Sequence, residues 1–348
     1  MERDKAIDIA RGISILLVLM GHSAFIPSSI LVFIHSFHVP LFFFISGMVF
    51  SYSKYPQFKD FLKSKAKSLL IPYFLLGIIV ISIDKAYRVF KNGQAITNFF
   101  SAGYFKNIQG LFVGYRLNGP YYSFWFILVL FVSMLAFYFI AKNVDKYKKK
   151  NAIYISIAVI LSALGCVLIK FVKGFVWSLD IVPIALSFVT FGYLVKINKE
   201  KISNKLMYFD WIIPVLAINL VCTYFNYSLY GKSHLFACNV GNYFLYILQS
   251  IFGIWLTMII SNKIGSSKIL EYIGKNTLIF YMFHSKVFFP IFDDILGSFN
   301  LSKSLNFIIE IIATTLLLCI LSYIINKFLP FLLGKFEIKN NNAQNIKT

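Results

Sequence analysis

The chain has 348 residues, of which 58% are hydrophobic and 14% are charged, and its mean hydropathy is +0.73. Soluble domains carry charges on about a quarter of their residues, so this composition excludes an ordinary soluble domain and predicts a multi-pass membrane protein. Lys and Arg outnumber Asp and Glu by 34 to 14. In a membrane protein such an excess reports on topology, and we expect no nucleic-acid partner.

Ten apolar stretches, each close to the roughly 20 residues that cross a bilayer as a helix, predict an all-α polytopic fold. Backbone groups have no water partners in hydrocarbon, so helices are the expected way to satisfy their hydrogen bonds. The predicted helices cover residues 6–26, 30–52, 68–87, 121–141, 152–172, 177–196, 208–226, 240–261, 273–292 and 304–332.

The connections that follow the even-numbered helices are rich in lysine. With ten spans they share one side with both termini, and that side holds 24 of the 34 Lys and Arg. The positive-inside rule therefore predicts cytoplasmic N- and C-termini in a protein of the cytoplasmic membrane. We expect a single transmembrane domain over residues 1–334, whose first helix is not a cleaved signal peptide, and a disordered cytoplasmic tail over residues 335–348.

The first predicted helix carries charged and titratable side chains at Asp8, Arg11 and His22. A charge at the centre of a spanning helix costs about 2.5–3.5 kcal/mol on insertion scales, so such residues usually face a bundle interior or a cavity. Arg11 and His22 are eleven positions apart, which returns to within about 20° of the same face after a rise of about 16 Å. They predict a polar stripe from the cytoplasmic entrance to the outer half of the membrane. The alternative for the two charges is an interfacial ion pair between Asp8 and Arg11.

Histidines also occur in the second and ninth predicted helices. The stretch FIHSFHVPLFFFISG places His35 and His38 early in the second helix, and NTLIFYMFHSKVF places His284 in the ninth. With His22, four of the five histidines converge on the outer half of the membrane. They fit either a metal site or a general base with an ordinary pKa near 6.5. No carboxylate or thiolate accompanies them, so we predict no bound metal, and Pro40 predicts a kink at this level.

The residues from Arg11 through His22 to FHVPLFFFISG resemble the membrane-bound acyltransferase-3 family, in particular its branch of cell-surface sugar O-acetylases. The stretches KSKAKSLLIPY (63–73), YSFWFILVLF (122–131) and IGKNTLIFYMFHSKVF (273–288) are similar to the family's third-helix entrance, its Trp-Phe segment and its late helix. The resemblance covers nearly the whole chain, and the first 50 residues are its most specific part.

This resemblance implies an O-acyltransferase, and specifically an O-acetyltransferase. The family moves an acyl group, commonly acetyl from acetyl-CoA, to sugar hydroxyls of surface polysaccharides or their lipid-linked precursors. Arg11 and His22 match its essential pair, and His38 with Pro40 matches its FH-x-P segment. We expect acyl-CoA as a co-substrate without a bound cofactor. Because the sequence lacks the extracytoplasmic domain of many relatives, we expect acceptor recognition at the outer loops. The acceptor sugar and the oligomeric state stay open.

One mechanism fits both the resemblance and the spacing of Arg11 and His22. Polyanionic acyl-CoA needs cations at its entry, and Arg11 can bind a phosphate with two parallel hydrogen bonds. The further donor-binding candidates are Lys63, Lys65 and Lys67, although the positive-inside rule also accounts for these lysines. His22 either removes the proton of the acceptor hydroxyl as a general base or forms a transient acyl-histidine.

The remaining candidates support these two residues. His38, His35 and His284 are expected to orient His22 or to stabilise the oxyanion. The candidates for binding the acceptor are Trp125 and Tyr281, which can pack against a sugar ring, and Asp180, which can bind its hydroxyls. Aromatic belts at the membrane interface are the alternative explanation for the two rings.

The main alternative function is a polytopic transporter or polysaccharide exporter, because embedded charges also fit a substrate pathway. That function predicts polar residues along several helices through the midplane. Here the first two helices hold a disproportionate share of the polar groups, and predicted spans 4, 5, 7 and 8 are nearly free of charge. A sensor or scaffold would leave the stripe of Arg11 and His22 unexplained. Acyl transfer is therefore the favoured function.

Overall fold

The computed structural model describes residues 4–114, 124–172, 174–206, 208–299 and 301–336, so residues 337–348 of the predicted tail lie outside it. Within these ranges the protein is about 82% helical and has no strands, which confirms the all-α class. The α-helices are α1 (Lys5–His22), α2 (Ser28–His35), α3 (His38–Met48), α4 (Phe58–Lys65), α5 (Ile71–Lys91), α6 (Ala102–Val113), α7 (Trp125–Val144), α8 (Lys150–Phe171), α9 (Val182–Ile197), α10 (Lys199–Leu206), α11 (Ile212–Tyr230), α12 (Tyr243–Ile264), α13 (Lys268–Lys275), α14 (Thr277–Phe283), α15 (Phe289–Gly297) and α16 (Lys303–Phe328).

Eight helical segments in the described part of the chain are long and apolar enough to cross a membrane. They correspond to predicted spans 2 to 8 and 10, which establishes an all-α polytopic membrane protein. The first predicted span is α1, whose 18 residues include three charged side chains. The ninth is divided among α13, α14, a π-helical turn over His284–Phe288 and α15.

Two large apolar clusters form the core. The first is built mainly from α3, α7, α8 and α9, and the second mainly from α1, α5, α14 and α16. Helix α1 contributes Ala10 to the first cluster and Ile15, Val18 and Leu19 to the second. It therefore lies between them, and this packing fixes the helix that carries Arg11 and His22.

Glycines bring α1 and α13 into backbone contact. A Cβ on Gly12 would lie 2.3 Å from the carbonyl oxygen of Leu270, and one on Gly274 would lie 1.9 Å from that of Asp8. In lipid there is little hydrophobic driving force between helices, so association depends on close packing of such small residues. This contact fixes α1 against α13 next to Arg11, in the part of α1 where the donor is expected to bind.

The same arrangement joins α3 to α9, and it gives a stability prediction. A Cβ on Gly192 would lie 1.9 Å from the carbonyl oxygen of Phe44, and backbone cannot rotate away. We expect Gly192→Ala to lower the free energy of unfolding by about 1–3 kcal/mol, measured by denaturation in detergent. The matched control is Gly110→Ala on α6, where a Cβ meets nothing within 4 Å. Equal stability of the two variants would contradict the prediction.

The predicted kink at Pro40 is confirmed. Proline has no N–H, so the carbonyl of Ser36, four residues earlier, loses its helical donor. Helix α2 ends at His35 and α3 begins at His38, and the Ser250 hydroxyl of α12 donates to the Ser36 carbonyl at 3.0 Å. The break therefore lies between the two histidines of the second span and is stabilised by a neighbouring helix.

Candidate active site

The structure brings all five histidines into two adjoining groups. The ring centroids of His22 and His284 are 4.9 Å apart. The ring of His35 lies 5.0 Å from that of His38 and 4.8 Å from that of His234. The groups adjoin at the end of α1, where a Cβ on Gly21 would lie 3.6 Å from His35 Nε2. The fifth histidine, which the sequence placed only in an outer loop, thus joins the other four.

Three of these histidines share one hydrogen-bonding pattern. In each, Nδ1 lies within hydrogen-bonding distance of the backbone carbonyl four residues earlier in the chain. A carbonyl only accepts, so Nδ1 carries the proton and Nε2 carries the lone pair. The pairs are His22 with Val18 at 2.9 Å, His38 with Ile34 at 2.8 Å and His284 with Phe280 at 3.0 Å. A general base or a nucleophile needs this tautomer.

Accessibility separates His22 from its neighbours. Its side chain is exposed, whereas His35, His38 and His284 are 9%, 5% and 1% exposed. Among the described residues, neither ring nitrogen of His35 nor Nε2 of His284 has a hydrogen-bond partner. Of these four, His22 is therefore the one that a ligand could contact directly, and the other three imidazoles are buried.

In the N-terminal half of α1, Arg11 interacts with two charged groups. Its Nη1 is 3.8 Å from Oδ1 of the buried Asp8, so the ion pair expected as an alternative does form. Lys65, at the end of α4, lies close enough to Arg11 for the two positive charges to interact. Two neighbouring cations repel each other, and a bound polyanionic ligand would relieve this repulsion.

The other two donor candidates are placed differently. Lys63 and Lys67 are both exposed. Nζ of Lys67 lies 5.7 Å from the ring centroid of Phe336, near the end of the described chain. The structure therefore groups Lys65 with Arg11 and leaves Lys63 and Lys67 on the surface, as the positive-inside rule would have them.

The three acceptor candidates differ in what they can offer. The Tyr281 ring is partly exposed and lies 6.2 Å from that of His284, and its hydroxyl accepts from the Phe126 backbone N–H at 3.3 Å. Trp125 and Asp180 are buried. The Trp125 ring packs at 6.2 Å from Phe126, so Phe126 contacts both aromatic candidates. Of the three acceptor candidates, only Tyr281 therefore has solvent-exposed surface close to the histidines.

Comparison with known proteins gives one family. The model of the acyltransferase-3 family, described as an acyltransferase domain, matches residues 4–327. The chain belongs to the membrane acyltransferase-3 family. No curated protein and no solved structure matches it. All candidate site residues lie inside the matched range, and this acyltransferase-3 protein is a multi-pass integral membrane acyltransferase.

The metal-site alternative for the histidines of this acyltransferase-3 protein depends on how their rings are arranged. In the described ranges no three His, Cys, Asp or Glu side chains are arranged to hold a metal ion. The His22 and His284 rings meet edge to face at 82°. Such packing orients the rings toward each other rather than toward a common ion.

A carboxyl group beside the histidines was missed by the sequence analysis. The hydroxyl of Ser23, next to His22, donates to Oε2 of Glu310, which is 0% exposed in α16. Asp293 lies within hydrogen-bonding reach of Glu310. The signal was present, because Glu310 is the single acidic residue of a 26-residue apolar helix, where a charge is costly. This carboxyl holds the end of α1 at the level of His22.

His234, in the loop between α11 and α12, gives a prediction of pH dependence. Burial, with smaller contributions from the charges of Lys232 and His22, lowers the pKa of His234 from 6.5 to about 4. The unfolded chain therefore binds more protons at this residue, and stability is lost as the pH falls from about 6.5 toward 4. We expect the melting temperature in detergent to fall over that range, and less steeply in His234→Asn. Identical slopes for the two proteins would contradict the assignment.

Proposed function

We propose that this acyltransferase moves an acyl group, acetyl in the first instance, from cytosolic acyl-CoA to a hydroxyl of a cell-surface polysaccharide or its lipid-linked precursor. The observation that supports it most is the state of His22. Its Nδ1–H is bound to Val18, its Nε2 lone pair is available, and its side chain is exposed on the helix that also carries Arg11. These are the two residues that the family resemblance identifies.

In the proposed step, Nε2 of His22 takes the proton of the acceptor hydroxyl while the hydroxyl oxygen attacks the thioester carbonyl. The new C–O bond forms, the C–S bond breaks, and the thiolate leaves as coenzyme A after taking the proton from Nε2. In the alternative chemistry Nε2 attacks the carbonyl itself and an acyl-histidine forms first. Both routes use the same atom, so the tautomer of His22 serves either.

The neighbouring histidines are proposed as positioning groups. His284 contacts the His22 ring edge to face at 4.9 Å, which limits rotation of the imidazole about its side-chain bonds. His38 and His35 pack behind the site and exclude water from that side. Exclusion of water lowers the local dielectric constant, which strengthens every electrostatic interaction with the developing oxyanion.

The donor is proposed to enter at the opposite end of α1. Arg11 and Lys65 supply two cations for the phosphates of acyl-CoA, and the positive-inside rule places this end in the cytosol, where acyl-CoA is made. The rise of about 16 Å from Arg11 to His22 then matches the extended arm that joins the phosphates to the thioester. Acceptors approach from the outer side, past Tyr281 and the loop that carries His234.

The test is transfer of radiolabelled acetyl from acetyl-CoA to sugar acceptors by the purified protein. A parallel analysis of surface-glycan acetylation in cells with and without the protein identifies the acceptor and the hydroxyl. We expect donor-dependent ester formation. Absence of any acyl transfer, together with substrate flux in proteoliposomes that contain no acyl donor, would favour a transporter and overturn the proposal.

A further inference from the structure

A basic cavity lies away from the histidines, between the α7–α8 connection and the start of α10. Its volume is about 760 Å³. The side chains of Asn151 and Asn198 hydrogen-bond to each other across it, at 2.9 Å and 3.3 Å, and so join its two walls. The lysines that line the cavity are Lys148, Lys149, Lys150, Lys196, Lys199 and Lys201.

These lysines are only partly neutralised. Lys199 pairs with Asp4 at 2.6 Å and Lys150 approaches Asp145 at 3.8 Å. Glu200 also lines the cavity, so the lysines outnumber these three carboxylates by two to one. Like charges around one cavity repel one another, and lysines at the first turn of α8 also oppose the helix macrodipole. A bound anion would relieve both costs.

An apolar groove adjoins the cavity and indicates which kind of anion fits. The groove has a volume of about 530 Å³ and shares Lys148 and Lys149 with the basic cavity. From there it follows one face of α8 past Ile153, Ile157 and Ile160, at the spacing of successive helical turns. Ile160 is exposed, as expected for a surface that faces lipid.

We propose that the basic cavity and the apolar groove together bind one anionic phospholipid, with its phosphate among the lysines and an acyl chain along α8. The positive charge of the lysines matches an anionic head group. Because the groove is continuous with the cavity, the ligand should also carry a hydrocarbon chain attached to its phosphate. The lysine-rich end of the bundle belongs to the cytoplasmic leaflet by the positive-inside rule, and anionic lipids attract such segments there. This site is separate from acyl transfer.

The experiment measures lipid binding to the detergent-purified full chain by native mass spectrometry, with phosphatidylglycerol and phosphatidylcholine as probes. We expect tighter binding of phosphatidylglycerol. Replacing one lysine on each wall, Lys149→Gln with Lys201→Gln, is expected to weaken it by about 30-fold. The matched control is Lys59→Gln with Lys268→Gln, two exposed lysines outside the cavity, which should leave the affinity unchanged.

A second pair of variants tests the groove. We expect Ile157→Trp, which fills the groove, to weaken phosphatidylglycerol binding, whereas Val167→Trp, at an exposed position of α8 outside it, should not. Unchanged affinity in the double lysine variant would overturn the proposal. So would displacement of the lipid by coenzyme A with no effect of Ile157→Trp, because the cavity would then bind the phosphates of a soluble nucleotide.

Discussion

His22→Ala is expected to lower kcat for acyl transfer by about 10²–10⁴-fold, the usual contribution of a general acid–base group. The variant removes the one exposed imidazole among the four membrane histidines and leaves no base at the end of α1. Its fold should persist, because an exposed side chain contributes little to the core. The measurement is the initial rate of acetyl transfer, normalised to protein that elutes as a single species with the melting temperature of the parent.

Two controls separate chemistry from structure in this experiment. His234→Asn alters a histidine of the same cluster that the proposed mechanism does not use, so its kcat should stay close to that of the parent. Added imidazole should partly restore the activity of His22→Ala if the missing function is proton removal.

Mass spectrometry of the parent protein with acetyl-CoA and no acceptor should show an acetyl adduct at His22 if the acyl-histidine route operates. Full activity of His22→Ala would remove this residue from both routes.

Arg11→Ala is expected to raise KM for acyl-CoA by about 10–100-fold and to change kcat less, because charge-assisted hydrogen bonds to phosphate contribute about 1.5–3 kcal/mol. Arg11→Lys keeps the charge but loses the two parallel hydrogen bonds. Its KM for acyl-CoA should therefore lie between those of the parent and of Arg11→Ala. Lys63→Ala changes an exposed cation of α4 and should leave KM unchanged.

A truncated donor sharpens the assignment of Arg11. Acetyl-pantetheine carries the thioester without the nucleotide phosphates, so the parent protein should use it poorly and Arg11→Ala should lose nothing further on it. If Arg11→Ala is impaired equally with acetyl-CoA and acetyl-pantetheine, Arg11 does not bind phosphate and acts through its ion pair with Asp8 instead.

Much of the fold could be predicted because bilayer thickness dictates helix length. The fifth span, expected at residues 152–172, is observed at Lys150–Phe171, and the kink at Pro40 follows from a missing N–H. Division of the ninth span could not be predicted, since the hydropathy of residues 273–292 is continuous through the π-helical turn at His284–Phe288. Helix type there depends on packing against α1 and α5, which a single sequence does not report.

The candidate site could be predicted in part for a similar reason. Depth along a spanning helix is a sequence property, so the convergence of His22, His35, His38 and His284 was accessible from spacing alone. The contact of His234 with His35 was not, because a loop has no fixed periodicity. Nor does spacing distinguish the partly buried Lys65, whose charge interacts with that of Arg11, from the exposed Lys63.

The bond between Nδ1 of His22 and the carbonyl of Val18 has a bioenergetic consequence. Because Nδ1 is held by this bond, only Nε2 of His22 can exchange a proton. The imidazole therefore cannot accept a proton at one ring nitrogen and release it from the other. In the proposed mechanism, the proton that Nε2 takes from the acceptor returns through Nε2 to the departing sulfur, so each turnover moves no net charge across the membrane. Acylation by this protein should therefore draw nothing from the transmembrane voltage, and vesicles short-circuited with an ionophore should acylate as fast as energised ones.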